Sequence, residues 1–492
     1  MAVFARKFDY AIIGAGASGM SFLDTLMRSH PRRDSLRVAL VDPHAQAGGH
    51  WNDDYAFVRL HQPATNYGVE GLALEDEDGV RDVPELRAPR SAILKYYERV
   101  LRQHMEGGRV EFIAKAKYDF GSGLVTDAVT KKLIGPLQCT KVVDARFTQN
   151  DVPVVVPPRF QFSPSKVDVI SVNSLVGRKG SKRHHYVVVG GGKTGQDAIM
   201  HLLKELQVAP EDIVWIVPND FWITARDAPD RKMDTCTEFL SLANGMAAAP
   251  VSSPEFIHAT FEELERRGKV YRFDQSVRPT KFMNATMNRD EVETVRRILG
   301  NINRSGRLSA IHEDGTLVFS SGETQALPWS DDVATTFVHC SCGAFNFSAS
   351  SAESRPPVFG EGKEKSQVIT IQEVFQYPGF CFNGSLIAKL ECDETLTTKE
   401  KNAMCELPPM EAKAKPSKAP LGPSAGSIGA LHIGHPLCVS SRNALRWYEH
   451  GLGEWLHNHR LYSLTMNKYS VQEGKKMVQK NVDAFAVLEN AQ

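Results

Sequence analysis

The chain has 492 residues, with 42% apolar and 24% charged side chains and a formal net charge of zero. Length allows about three domains, and the composition is that of an ordinary globular protein. A neutral balance excludes bulk nucleic-acid binding, which needs a basic footprint, and no apolar run approaches the ~20 residues of a membrane span.

The opening stretch MAVFARKFDY is too short and mixed for a secretory signal, and the closing VLENAQ carries no address or lipidation motif. Eight scattered cysteines without a CxxC pair read as reduced thiols, so the expected location is the cytoplasm. Cys340 and Cys342 read as structural residues on a strand. His432 with His435, and His457 with His459, lack acidic or thiol neighbours, so no metal site is expected.

Residues 8–42 form a βαβ unit. FDYAIIGAG is a buried parallel strand ending in glycines, ASGMSFLDTLMRS has helical periodicity, and RVALVD is a second strand. Gly14 allows a tight turn out of the strand, Gly16 lets backbone approach a pyrophosphate, and Gly19 lets the helix pack close. Ser18 lies beside them in the helix's first turn. The helix N-terminus points unpaired N–H groups at phosphates, and Asp42 ends the second strand where a carboxylate accepts from a ribose hydroxyl. This is the pattern of a dinucleotide's ADP half.

An amphipathic helix follows over 91–105, then the strand RVEFIAKA, two glycine-turned strands, and the strand TKVVDAR. The basic stretch GRKGSKRHH reads as a solvated inter-domain connection. Residues 186–217 then repeat strand, glycine loop, helix and strand. Gly190, Gly192 and Gly195 give the three-glycine spacing. The Gly192-Lys193-Thr194 run is not an NTPase loop, which needs a glycine at position 187, where Val stands. Lys193 is expected beside the pyrophosphate as a point charge. The strand DIVWIVPNDFW does not end in an acid. With Arg226, Arg231 and Lys232 downstream, this leans toward NADPH, while Asp220 close by keeps NADH possible.

Further on, RDEVETVRRILGNIN reads as a helix, RLSAIHEDGTLVFSSG as a hairpin with an Asp-Gly turn, and ATTFVHCSCGAF as a buried strand. In PGFCFNGSLIAKLE, Asn383-Gly384-Ser385 reads as the start of an apolar helix. The expected organisation is a first part of one dinucleotide domain over 1–165 and an inserted nicotinamide domain over 180–330. The first domain resumes over 331–404, a linker or excursion follows over 405–430, and a helical region closes the chain over 431–492. The fold class is α/β with two Rossmann-like domains.

The stretch AGGHWNDDYAFVRLHQP places Gly48-Gly49, His50 and Trp51 after Asp42. It resembles the Gly-Gly-x-Trp stretch of class B flavin monooxygenases. Over roughly residues 8–400 the organisation is similar to two-dinucleotide flavoproteins, including FAD/NAD(P)-binding oxidoreductases that carry a GGHW…RLHQP stretch. The resemblance implies FAD on the first loop, with Gly49, His50 and Trp51 running toward the flavin, and a nicotinamide donor on the second. VVDAR near Asp144 and VHCSCG near Gly343 each have the shape of the strand end that closes the FAD domain in that family. Arg59, His61 and Gln62 would line the flavin's reactive face. His61 would donate a hydrogen bond or act as acid and base near neutral pH, or be a structural loop residue. The helix from Asn383 and Gly384 would aim its N-terminus at the flavin, or be an ordinary core helix.

A disulfide-reductase outcome is excluded, because neither Cys-x-x-Cys nor Cys-x4-Cys occurs. The flavin monooxygenase fingerprint Phe-x-Gly-x-x-x-His has no counterpart in FQFSPSKVDVISVNSLV, which lacks its glycine and histidine. The expected function is an FAD- and NAD(P)H-dependent monooxygenase of a small organic molecule, by N-hydroxylation, S-oxidation or Baeyer–Villiger insertion. A flavin dehydrogenase or oxidase and a non-catalytic flavin-binding protein stand as alternatives. Substrate and oligomeric state are left open by the sequence.

Overall fold

A computed structural model describes residues 7–146, 148–149, 152–178, 183–228, 256–329, 333–342, 346–347, 356–360, 367–375, 379–407, 438–462 and 469–489. Two five-stranded sheets organise it. The first contains β1 (Lys7–Ile13), β2 (Val38–Val41), β3 (Val110–Ile113), β7 (Gln138–Asp144) and β21 (Gln367–Thr370), in the order β21-β7-β1-β2-β3. All its pairings are parallel. Parallel sheets are covered on both faces, and all four residues of β2 are accordingly buried. Helix α1 (Ala17–Ser29) follows β1 and α2 (Arg90–Met105) precedes β3. Phe22, Leu23 and Leu26 of α1 are fully buried, each contributing about 2 kcal/mol of apolar burial.

The second sheet contains β9 (Asp168–Ser171), β10 (His185–Val189), β11 (Ile213–Ile216), β15 (Ile302–Asn303) and β19 (Thr335–His339), in the order β15-β11-β10-β19-β9. It too is parallel throughout, with α3 (Lys193–Lys204) following β10. The architecture is therefore the expected α/β fold with two Rossmann-like sheets. In each, the strand before a glycine loop lies between the next strand in sequence and a much later one. The switch in strand order falls at that loop, where such sheets bind ligands.

Smaller sheets decorate this frame. β4 (Ala116–Tyr118), β5 (Leu124–Asp127) and β6 (Leu133–Pro136) form an antiparallel meander, three strands where two were expected. β12 (Phe221–Ala225), β13 (Val270–Tyr271) and β14 (Lys281–Met287) form a mixed sheet in the order β13-β12-β14, antiparallel between β13 and β12 and parallel between β12 and β14. β16 (Leu308–Ile311), β17 (Leu317–Phe319) and β18 (Thr324–Gln325) include the expected hairpin, whose turn glycine Gly315 has φ +85°. β8 (Thr148–Gln149) pairs with β20 (Asn346–Phe347).

The expected domain limits shift. β9 and β19 both hydrogen-bond in the second sheet, so that unit takes in 168–171 and 335–339, beyond the expected 180–330. VVDAR and VHCSCG are the ends of β7 and β19, one in each sheet, rather than two versions of one strand end; Gly343 lies outside the described residues. The basic connection is anchored where it meets β10, because Arg183 grips Asp212 at 2.7 and 2.9 Å. Cys340 and Cys342 follow β19 rather than lying on it. Of the segment expected as a linker, 405–407 is anchored: Cys405 is buried and Glu406 pairs with Arg442 and Arg446. Residues 408–430, with His432 and His435, lie outside the described residues.

The helix Phe380–Glu391 packs on α1. A Cβ on Gly384 would lie 2.4 Å from the Ser18 carbonyl oxygen, so only glycine permits this approach. The helix begins at Phe380, one turn before the expected start, with Gly379 as its N-cap (φ +91°). Asn383 is buried. Its Oδ1 accepts from the Val374 and Phe375 N–H groups (3.1 and 2.9 Å), and its Nδ2 donates to the Phe375 and Gly379 carbonyls (2.8 and 3.1 Å). The Asn383 side chain thus ties a loop, and Gly384 allows the helix crossing. Asn383→Ala strands two buried N–H groups, and urea unfolding should show a loss of about 3 kcal/mol.

Candidate cofactor site

The two glycine loops repeat each other atom by atom. Gly14 has φ +108° and Gly190 φ +125°, conformations open to glycine. A Cβ on Gly19 would lie 1.9 Å from the Gly14 carbonyl oxygen, and one on Gly195 would lie 2.0 Å from that of Gly190. Helices α1 and α3 start on Gly16 and Gly192, and neither N-cap has a side-chain hydrogen bond. Their leading N–H groups are left for a ligand, which is how such loops hold a pyrophosphate. Gly49 lies against Gly16: a Cβ on Gly49 would lie 2.8 Å from the Gly16 Cα. The Gly-Gly stretch therefore meets the first loop backbone to backbone. Each loop fits a dinucleotide.

Asp42 stands at the end of β2. Its Oδ2 accepts the Ala15 N–H at 2.6 Å, and its Oδ1 accepts the His44 N–H at 2.9 Å and faces His44 Nδ1 at 2.7 Å. The other ring nitrogen of His44 lies 2.9 Å from Asp53. The Asp42 bond lifts the His44 pKa to about 9; burial opposes it and Asp53 adds to it. Protonated His44 thus clips the glycine loop to the segment after Trp51, a role the sequence did not reveal. Because its folded pKa exceeds the ordinary 6.5, this stabilisation is fully present below 6.5 and is lost as pH rises through about 9. His44→Gln should lower Tm below pH 6.5 and flatten the fall of Tm between 6.5 and 9. A variant with the native slope contradicts the clip.

Residues 49–62 run from the first loop to helix α3. Trp51 is buried and donates its indole N–H to the Tyr67 hydroxyl at 2.8 Å. His50 is pushed down to about 4 by burial, and its Nε2 lies 3.6 Å from Asp54. Burial lifts Asp54 to about 7 against the pull of Arg90. Tyr55 donates to Asp197 Oδ2 of α3 at 2.7 Å, and Phe57 stacks on His201 of α3 at 4.0 Å. Asp197 also pairs with Lys193. Burial would raise the Asp197 pKa, but the Lys193 ammonium beside it holds it low.

The junction is closed by two arginines. Arg87 donates to the Leu60 carbonyl at 3.0 Å and to Glu291 at 2.7 Å. Arg226 is buried and donates to the His61 carbonyl (2.8 Å), Glu85 (2.8 Å) and the Thr286 carbonyl (3.0 Å); it also pairs with Glu291 at 2.8 Å.

Several expectations change here. His61 does reach the junction, but burial, followed by the Lys193 charge, pushes its pKa to about 3. It is a neutral imidazole at pH 7, not an acid–base group there. Gln62 donates to the Asn66 carbonyl at 2.9 Å and shapes its own loop. Arg59 is exposed and donates to the Arg87 carbonyl at 3.3 Å, outside the junction. Lys193 is paired with Asp197 rather than free for a pyrophosphate, and Thr194 and Ser18 lie in the first turns of their helices. Arg226 is spent on the junction and is not a free reader of a 2′-phosphate. Arg231 and Lys232 lie outside the described residues. Asp220 is held by Arg304 at 2.6 and 3.1 Å. Among the described residues no group of side chains could hold a metal ion, and no helix is long and apolar enough to cross a membrane.

The fold and the paired loops define a class, proteins with two dinucleotide-binding sheets joined by a bridging segment. Comparisons with known proteins bear on the fold. Residues 11–70 match the family model described as FAD-NAD(P)-binding. Uncharacterised proteins of Mycobacterium tuberculosis (strain H37Rv) and Mycobacterium bovis are 33% identical over 379 residues, 75% of this chain. The match spans 65% of the length of those relatives. Among solved structures, an oxidised steroid monooxygenase bound to NADP is 16% identical with a TM-score of 0.51, covering 79% of this chain and 86% of that one. A flavin-containing monooxygenase from Stenotrophomonas maltophilia is 15% identical with a TM-score of 0.45, covering 81% and 99%. The chain shares the fold of the steroid monooxygenase.

Proposed function

We propose that this chain is an FAD- and NAD(P)H-dependent oxidoreductase, a monooxygenase acting on a small organic molecule. The observation that carries the reading is the segment 49–62, which ties the first glycine loop to the helix of the second: Gly49 lies on Gly16, and Tyr55 and Phe57 lie on α3. Two dinucleotides facing one another need this arrangement. When bound, they supply hydride transfer and oxygen activation.

The protein's own residues bind, orient and exclude water. Gly14, Gly16 and Gly19 with α1 would hold the FAD pyrophosphate, and Gly190, Gly192 and Gly195 with α3 that of NADPH or NADH. His44 and Asp42 fix the first loop. Trp51, tied to the Tyr67 hydroxyl, would lie toward the flavin, and neutral His61 is able to donate a hydrogen bond without carrying charge. The reading places the protein in the cytoplasm. N-hydroxylation, S-oxidation and Baeyer–Villiger insertion are the reactions this reading covers.

The missing Phe-x-Gly-x-x-x-His stretch favours a second reading, a flavin dehydrogenase or oxidase. The two separate on the fate of oxygen. The protein, reduced with NADPH and offered amine, sulfide and ketone panels under air, should oxygenate one panel with little peroxide released. Stoichiometric peroxide with every panel, and no oxygenated product, would establish the oxidase instead.

A further inference from the structure

A cavity of about 290 Å³ lies under the amino-terminal edge of the first sheet, at the small end of the range for ligand pockets. Tyr10 of β1 lines it, four residues and therefore about 13 Å before Gly14, so it is separate from both glycine loops. Glu391, at the end of the helix packed on α1, also lines it and is buried. Glu391 Oε1 accepts from the Tyr10 hydroxyl at 2.7 Å and from Lys141, while Lys401 donates to the Glu391 backbone carbonyl at 3.0 Å and approaches Oε2 at 3.4 Å.

Two ammonium groups thus share one carboxylate. Lys401 is 7% exposed. The other carboxylates lining the cavity are committed or outside: Asp9 accepts the Arg37 N–H at 2.9 Å and faces Arg32 at 3.5 Å, and Glu394 is exposed. His30 is buried, its Nδ1 accepts from the Arg32 N–H, and burial followed by Arg32 lowers its pKa. The inner cluster therefore carries one positive charge in excess: Lys401 is buried against Glu391, while the Lys141 side chain is 27% exposed and stays open to an anion from the cavity side. Beside it stand the apolar surfaces of Phe359 and Ile369, both buried, and of Leu396.

We propose that this cavity is a second ligand site, which binds a small organic carboxylate with its charge on Lys141 and Lys401 and its apolar part against Phe359, Ile369 and Leu396. The carboxylate completes a two-against-two ion cluster.

The test titrates the purified full chain calorimetrically with hexanoate, hexan-1-ol and inorganic phosphate. Hexanoate should bind at one site, with hexan-1-ol at least about tenfold weaker, the cost of one charge-assisted hydrogen bond. Lys141→Met should weaken hexanoate by a similar factor, and Leu396→Trp, which fills the cavity, should abolish binding. Circular dichroism and the visible spectrum should stay unchanged in both. Three results would overturn the proposal: no heat with hexanoate, phosphate binding as tightly as hexanoate, or hexanoate binding that survives both substitutions.

Discussion

Gly16→Val should yield a folded but colourless protein, with FAD affinity reduced at least about a thousandfold. The geometry separates binding from folding at this position. A Cβ on Gly16 would sit 3.4 Å from the Gly49 Cα, an ordinary contact, and the backbone there is extended (φ −85°, ψ −168°). Valine is therefore compatible with the chain's own structure. What its branched side chain would occupy is the space in front of the uncapped α1 N-terminus, where a pyrophosphate must come within hydrogen-bond distance. Losing several charge-assisted bonds to backbone N–H groups, each worth about 1.5–3 kcal/mol, gives the stated factor. The neighbouring Gly19→Val would be a poor control, since its Cβ would overlap the Gly14 carbonyl at 1.9 Å and break the loop. Flavin content after purification, with Tm as the check on folding, reads the outcome. A Gly16→Val protein that stays yellow removes the first assignment.

Gly192→Val should do the opposite, leaving flavin bound while nicotinamide reduction slows by at least about a hundredfold. Gly192 caps α3 with φ −68° and ψ 179°, again a conformation any residue adopts. The side chain would stand in front of the second helix N-terminus, where the loss of one or two bonds to phosphate accounts for the factor. Stopped-flow reduction under anaerobic conditions measures it. Unchanged reduction would mean that the second loop is not the hydride donor's site. The pair of variants dissociates the two loops, a pattern that a single-cofactor protein could not produce.

The two glycine loops were legible in the sequence because their determinants are local. Strand, glycine spacing and helix lie within about 30 residues, and positive φ at Gly14 and Gly190 is a demand that the sequence displays directly. The Gly-Gly-His-Trp stretch was legible for the same reason. What escaped is set by distant partners. Arg226 reads as a free cation until Glu85 and Glu291, from two other segments, are found against it. Asp220 reads as an acid open to a ribose until Arg304 closes on it from 84 residues away. His61 looks like an ordinary imidazole until burial and Lys193 strip its proton. Asn383 and Gly384 look like a helix start, yet their neighbours are a loop and a helix that the chain folds back upon them. The limits of the second unit shifted because β9 and β19 are short apolar strands, and nothing in such a strand names its partner sheet.

The proposed function requires a flavin on the first glycine loop and a hydride donor on the second. Its most direct test is anaerobic mixing of the purified chain, loaded with FAD, with NADPH and then with NADH, followed by visible absorbance. Full bleaching of the yellow flavin within seconds by at least one of the two is the predicted result. A protein that takes up no FAD, or that keeps its flavin oxidised in the presence of both nucleotides, would contradict it.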